Sequence, residues 1–235
     1  MASLKHALYA LLAAVTLPVG SAGAATIIID EFIAPQTVVA VPGPGAVSSS
    51  EVKAPLSIGG YRDMRVVNNN RRTNGTTLEA RDGALDFSNA SRTSGTGTVT
   101  WNGLRSTGLR GLDVTDGGTN DAVIFDVLFA DAEVDLTFSV IDTRGRTSSY
   151  SYLIKEALTR SSVVFFKFTD FAGTADLKSI NSVSFTLSGR TASVDATLDL
   201  LSFGQTPVPV PVPASGLLLG TAVLGAGMLR RRRGA

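Results

Sequence analysis

Val134-Asp135-Leu136-Thr137-Phe138-Ser139-Val140 decides the fold class. Its apolar residues fall on every second position, so one side of an extended chain is oily and the other polar. A helix with a 3.6-residue period would smear the two classes around its circumference. The same alternation returns at Val164, Phe166 and Phe168, at Val183, Phe185 and Leu187, and at Val194, Ala196, Leu198 and Leu200. Thr26 to Ile29 and Gly95 to Trp101 read as further strands. Turn dipeptides divide them at Gly59-Gly60, Asn74-Gly75, Asp82-Gly83, Asn102-Gly103, Gly117-Gly118 and Arg144-Gly145. Strands about ten residues apart, with no helical stretch of note, predict an all-β antiparallel β-sandwich of jelly-roll type over residues 25–206. Pro42 to Ser50, opening Pro-Gly-Pro-Gly and ending in three serines, reads as a loop. So does Asn68 to Arg72.

Both ends of the 235-residue chain differ from this body. Lys5 and His6 precede an apolar run from Ala7 to Val19, and small residues follow. This is the layout of a secretory signal peptide over residues 1–24, with Ala22 and Ala24 at the −3 and −1 places and Ala25 as the new N-terminus. At the other end Pro207, Pro209, Pro211 and Pro213 alternate with valines, which suits polyproline II and excludes helix. Residues 214–229 carry no charge, and Arg230, Arg231, Arg232 and Arg233 follow. As a helix those residues reach about 24 Å, a little under the hydrocarbon thickness, and snorkelling arginines can close the gap. The expectation is a single transmembrane helix over 214–229, with residues 230–235 as a basic cytoplasmic tail.

Val210-Pro211-Val212-Pro213-Ala214, the short apolar span and the terminal arginines resemble a PEP-CTERM sorting signal, nearest to the variant written VPLPA. The resemblance covers about an eighth of the chain. It implies recognition of that motif by an exosortase-like membrane protease of a Gram-negative bacterium. It also implies a brief stay in the inner membrane, then release to the cell surface or an exopolysaccharide matrix; the alternative is an ordinary single-pass anchor behind a proline stalk, which would leave a periplasmic protein tethered to the membrane. Val212 stands where the family name has Glu and the nearer variant Leu. The Sec translocon and signal peptidase are the partners implied at the front end. The body resembles exported bacterial jelly-roll-like surface proteins only loosely, through Gly59-Gly60-Tyr61-Arg62-Asp63 and Gly97 to Gly103.

Composition limits the chemistry. There is no Cys, and the single His lies in the signal segment, so triads, thiolate nucleophiles and His-ligated zinc are excluded from the body. Removing Lys5 and the four terminal arginines from the 21 basic residues leaves 16 against 20 acids, a net charge of −4. That argues against nucleic acid as a partner. Glycoside hydrolysis needs only two carboxylates, but none of Glu31, Glu51, Glu79, Glu133 and Glu156 sits in a recognisable setting. The body is expected to be non-enzymatic and structural, without a required cofactor. Ca²⁺ is the metal its oxygens could hold, either in the turn with Asp113, Asp116, Asn120 and Asp121 or where Asp30 meets Asp195 or Asp199 across paired terminal strands. The competing explanation is that turns need Asp and Asn with Gly in any case. A sugar-binding alternative, directed at matrix exopolysaccharide, would use Tyr61, Tyr150 and Tyr152. Trp101 shares a face with Val99 and is expected in the core.

Overall fold

The computed structural model describes residues 25–40, 43–69 and 75–207, apart from the Leu200 side chain. Signal residues 1–24 with Ala22 and Ala24, the motif Val210 to Ala214, the helix expected over 214–229 and Arg230 to Arg233 lie outside them. The chain divides into two units, Met1–Gln205 and Thr206–Ala235, and the sandwich belongs to the first. Among the described residues no helix is long and apolar enough to cross a membrane.

Fourteen strands occur among the described residues: β1 Ile27–Asp30, β2 Gln36–Val39, β3 Ala46–Lys53, β4 Tyr61–Asn68, β5 Thr76–Arg81, β6 Ala84–Asn89, β7 Gly95–Trp101, β8 Ala122–Ala130, β9 Val134–Asp142, β10 Thr147–Ile154, β11 Ser162–Lys167, β12 Ala172–Gly173, β13 Ile180–Gly189 and β14 Asp195–Gly204. They form two seven-stranded sheets. The first runs β11-β8-β14-β6-β5-β2, with β1 also beside β14, and the second β12-β10-β9-β13-β7-β4-β3. The recorded pairs are all antiparallel. This is an all-β sandwich.

The alternating apolar residues point into the space between the sheets. Val134, Leu136, Phe138 and Val140 of β9 are buried, as are Val183, Phe185 and Leu187 of β13. Phe125 stacks edge-on with Phe166 at 5.0 Å and tilts against Phe185 at 5.3 Å, while Phe138 meets Phe203 at 5.9 Å. Rings in such geometries gain attraction beyond area burial. Trp101 is fully buried. β11 stops at Lys167, and Phe168 opens a 3-10 turn.

Two loop expectations are corrected. Residues 46–50 belong to β3, an edge strand paired with β4 from Ala46↔Asn68 to Lys53↔Tyr61. Gln36 Nε2 donates to the Ser50 carbonyl (2.9 Å) and to its hydroxyl (3.0 Å), so polar groups replace the oily side that a strand reading looks for. Asn68 is the buried last residue of β4 rather than the start of a solvated loop.

One polar cluster joins the two sheets inside the core. Arg62 on β4 is fully buried, and Asp30 on β1 is 2% exposed. Arg62 Nη1 donates to both Asp30 oxygens (3.2 and 3.1 Å), Nε to Gln36 Oε1 (2.8 Å) and Nη2 to the Ala34 carbonyl. Asp30 also accepts from Trp101 Nε1 and from the Phe32 amide, each at 2.8 Å. The guanidinium lies 5.8 Å from the Phe32 ring centre. Removing one member leaves the other charge buried without a partner. Arg62→Ala is therefore expected to lower unfolding free energy by about 3–5 kcal/mol, and Arg62→Met with Asp30→Leu by much less. Urea unfolding of the two variants checks this; equal loss in both would place the stabilisation in packing alone.

Candidate functional site

The antiparallel pairing of β4 with β7 (Asp63↔Thr100) brings the start of one strand and the end of the other to the same rim of the second sheet. Two loops leave there side by side, residues 54–60 before β4 and 102–112 after β7. Between them lies a cleft of about 430 Å³, lined by Ile58, Gly59, Tyr61, Leu104, Thr107 and Arg110 among others. That volume falls within the range of small-ligand sites. Gly59 sits at φ +72°, where a Cβ would come within 2.7 Å of Leu109. Gly108 sits at φ +87°, where a Cβ would strike the Asn181 amide. Both positions require glycine, and both leave main-chain groups close to the cleft.

The 102–112 loop is clamped at both ends. Leu109 N donates to the Asn181 carbonyl, and Leu112 exchanges two main-chain bonds with Ile180, each at 2.8 Å. At the near end Glu51 Oε2 accepts the Arg105 amide at 2.6 Å. The Asn102 side chain, oriented to satisfy its neighbours, donates to Asp63 Oδ2 (3.0 Å) and accepts from the Ser106 hydroxyl (3.1 Å). Arg105, Ser106 and Arg110 all hold left-handed backbone, at φ 50°, 60° and 59°. Each such residue costs roughly 1–3 kcal/mol, and such strain gathers at ligand sites.

Glu51 and Asp63 face each other across β3 and β4. Burial, and then the Glu51 charge, push the Asp63 carboxyl above its ordinary range. Each carboxylate is engaged by the loop, and this holds two like charges together.

The three tyrosines offered for sugar binding do not share a groove. Tyr61 lies on the outward side of β4 and lines the cleft. Tyr150 and Tyr152 lie on β10, four strands away, about 19 Å at the usual strand spacing. They pair with the buried Phe138 and Leu136 and turn toward the other sheet. Tyr150 packs on Phe166 (5.0 Å) and Phe171 (6.2 Å), and Tyr152 on Phe166 (6.2 Å). A second cleft, about 480 Å³, opens beside Tyr152, which is 43% exposed, Lys155 and Glu156.

The acids proposed for Ca²⁺ are differently occupied. Asp30 binds Arg62 and Trp101. β1 does pair with β14, yet Asp30 stands opposite Leu201, six residues from Asp195, or about 20 Å along the strand. Asp195 donates its main-chain amide to Asp131 Oδ1 at 2.8 Å, while its own Oδ1 is buried without a hydrogen-bond partner. Asp113 accepts from the Thr115 hydroxyl (2.6 Å), the Thr115 amide (2.9 Å) and the Gly117 amide (3.3 Å). The Thr115 hydroxyl bond, aided by those amides against partial burial, lowers its pKa. Asp116 Oδ2 accepts from Thr119 at 3.0 Å. Asp121 is exposed, its main chain bonded to Gly204 and Phe168. Among the described residues no three acidic or imidazole side chains converge on a metal position.

Arg105, Arg110 and Asp63 were not singled out from sequence. The signal available was Trp101-Asn102-Gly103-Leu104-Arg105-Ser106-Thr107-Gly108-Leu109-Arg110-Gly111, a glycine-punctuated polar loop directly after a buried Trp.

No family model and no curated protein matches the chain. Among solved structures it is similar to an agarase, at 12% identity and TM-score 0.45 over 61% of this chain and 23% of that one. It is similar to an exo-beta-agarase at 11% and 0.44 over 77% and 26%. It is also similar to the family 11 carbohydrate-binding module from Clostridium thermocellum in complex with a beta-1,3-1,4-mixed-linked tetrasaccharide, at 14% and 0.41 over 79% and 98%. The chain spans about a quarter of the length of the two agarases.

Asp63→Asn removes one of two facing negative charges and keeps an acceptor for Asn102. It is expected to stabilise the fold by a few tenths of a kcal/mol at low salt, with the gain fading at high salt. Thermal melts of the variant and parent in 10 mM and 500 mM NaCl test this, and a salt-independent loss would contradict it.

Proposed function

We propose that this chain is an exported polysaccharide-binding protein of the cell surface or extracellular matrix, with the Tyr61 cleft as its binding site. The observation that carries this reading is the cleft itself. It combines an aromatic ring, the Thr107 hydroxyl, a guanidinium and glycine main chain at the rim of a rigid sheet. A sugar ring offers apolar faces to Tyr61 and hydroxyls to the rest. The body binds and does not cleave: Glu51 and Asp63 hold the loop, so neither is free to serve as nucleophile or acid.

Delivery follows from the sequence. The Sec translocon and signal peptidase handle residues 1–24. An exosortase-like protease of a Gram-negative inner membrane recognises Val210 to Ala214, while residues 214–229 and Arg230 to Arg233 hold the precursor. The released body then meets exopolysaccharide.

Tyr61→Ala is expected to weaken retention on the producing strain's exopolysaccharide about tenfold, near 1.4 kcal/mol, with Tyr152→Ala unchanged. Equal retention of parent and Tyr61→Ala would remove the cleft from the reading. Intact mass of surface-released protein, from cells with and without the protease, tests delivery. Loss of both ends, the second cut near Pro213 and dependent on the protease, is expected. Arg230 to Arg233 retained in both strains would mean a plain anchor.

A further inference from the structure

Two of the three strained residues in the 102–112 loop are arginines, both exposed. Four ion pairs are found among the described residues, using Arg62, Arg81, Arg146 and Arg190. None includes Arg105 or Arg110. The two nearby acids do not neutralise them: Glu51 holds the main-chain amide of Arg105, and Asp63 holds Asn102. Lys53 stands opposite Tyr61 in the β3–β4 ladder. A body with a net negative charge thus places three cationic side chains at or beside its cleft, Arg110 in the lining and Arg105 and Lys53 next to it, with the two arginines on backbone that glycine would occupy more easily. The fork of a guanidinium matches a carboxylate or sulfate ester in a way that a hydroxyl does not.

We infer that the cleft takes an anionic polysaccharide, with Arg110 pairing to a carboxylate or sulfate-ester group while Tyr61 packs on the ring that carries it. Arg105, held by Glu51, supplies a second cation at the rim. The inference rests on the polysaccharide-binding reading and narrows it to acidic polymers.

The test measures binding of the full-length protein to four immobilised polymers: polygalacturonate, its methyl ester, carrageenan and desulfated carrageenan. At 20 mM NaCl at least one charged polymer is expected to bind about tenfold tighter than its neutral counterpart, and the gap should narrow at 300 mM. Preference within the first pair identifies a carboxylate, and within the second a sulfate ester. Arg110→Ala should cost about fivefold more on the charged polymer than on its neutral counterpart. Arg110→Gly, which suits the left-handed backbone, should match it and exclude misfolding as the cause. Arg110→Lys should fall between parent and Ala. Equal affinity within both pairs overturns the inference and leaves polysaccharide binding standing. Retention on the strain's exopolysaccharide with none on the four polymers also overturns it. No retention on any polymer overturns both.

Discussion

The buried Asp30–Arg62 pair is the constraint on which the rest of the sandwich depends. A charge taken out of water costs several kcal/mol unless its hydrogen-bonding capacity is met. Arg62 meets it with Asp30, Gln36 and Ala34, and Asp30 with Arg62, Trp101 and the Phe32 amide. These partners come from β1, β2 and the turn between them in one sheet, and from β4 and β7 in the other. Sliding any of these strands by two residues would keep the oily faces inward but would orphan a charge. The apolar pattern selects the faces, and this cluster selects the register. It also locates the cleft. Tyr61 precedes Arg62, and Asn102 follows Trp101, so the two loops that form the cleft leave from the most tightly specified point of the core.

The strands with oily alternation were legible because each buries one face: β9, β13 and most of β14 lie where the pattern puts them. β3 was not, because its inward positions include serines. Its pairing depends on β4 and Gln36, and local composition carries no trace of that. Trp101 was placed in the core through its spacing from Val99. Arg62 sits in an equally regular series with Met64 and Val66, but a charged residue there reads as solvent-facing until its counter-ion, 32 residues earlier, is known. Asp30 was read as a calcium ligand for the same reason. Of the cleft, Tyr61 was legible as an aromatic beside a Gly-Gly turn. The strained arginines were not, since left-handed backbone at a non-glycine residue leaves no mark in sequence.

The outer face of the second sheet is tied up by its own hydroxyl pairs. Thr98 bonds Thr186 at 3.1 Å, Thr96 bonds Ser188 at 3.3 Å, and Thr137 bonds Ser151 at 2.8 Å. Such cross-strand hydroxyl pairs lock short side chains together at little entropic cost. They leave no ring on the central strands β7, β13 and β9 against which a sugar could stack. Curved loops can offer a ring, hydroxyls and cations within one small volume, and the 54–60 and 102–112 loops do so around an outward tyrosine.

Holding that loop in shape sets two terms against each other. Left-handed Arg105 and Ser106 are unfavourable, and so are two carboxylates facing across β3 and β4. Each stabilises the other: Glu51 captures the Arg105 amide, and Asp63, through Asn102, captures Ser106. Without the acids the loop would relax, and without the loop the acids would repel. The acids are thus turned to amide groups of the loop, and the Arg105 guanidinium is left exposed. A simple salt bridge between Glu51 and the Arg105 side chain would relieve the repulsion just as well but would cancel that charge. Arg105 keeps its charge unpaired by Glu51 because that carboxylate binds an amide instead of a guanidinium.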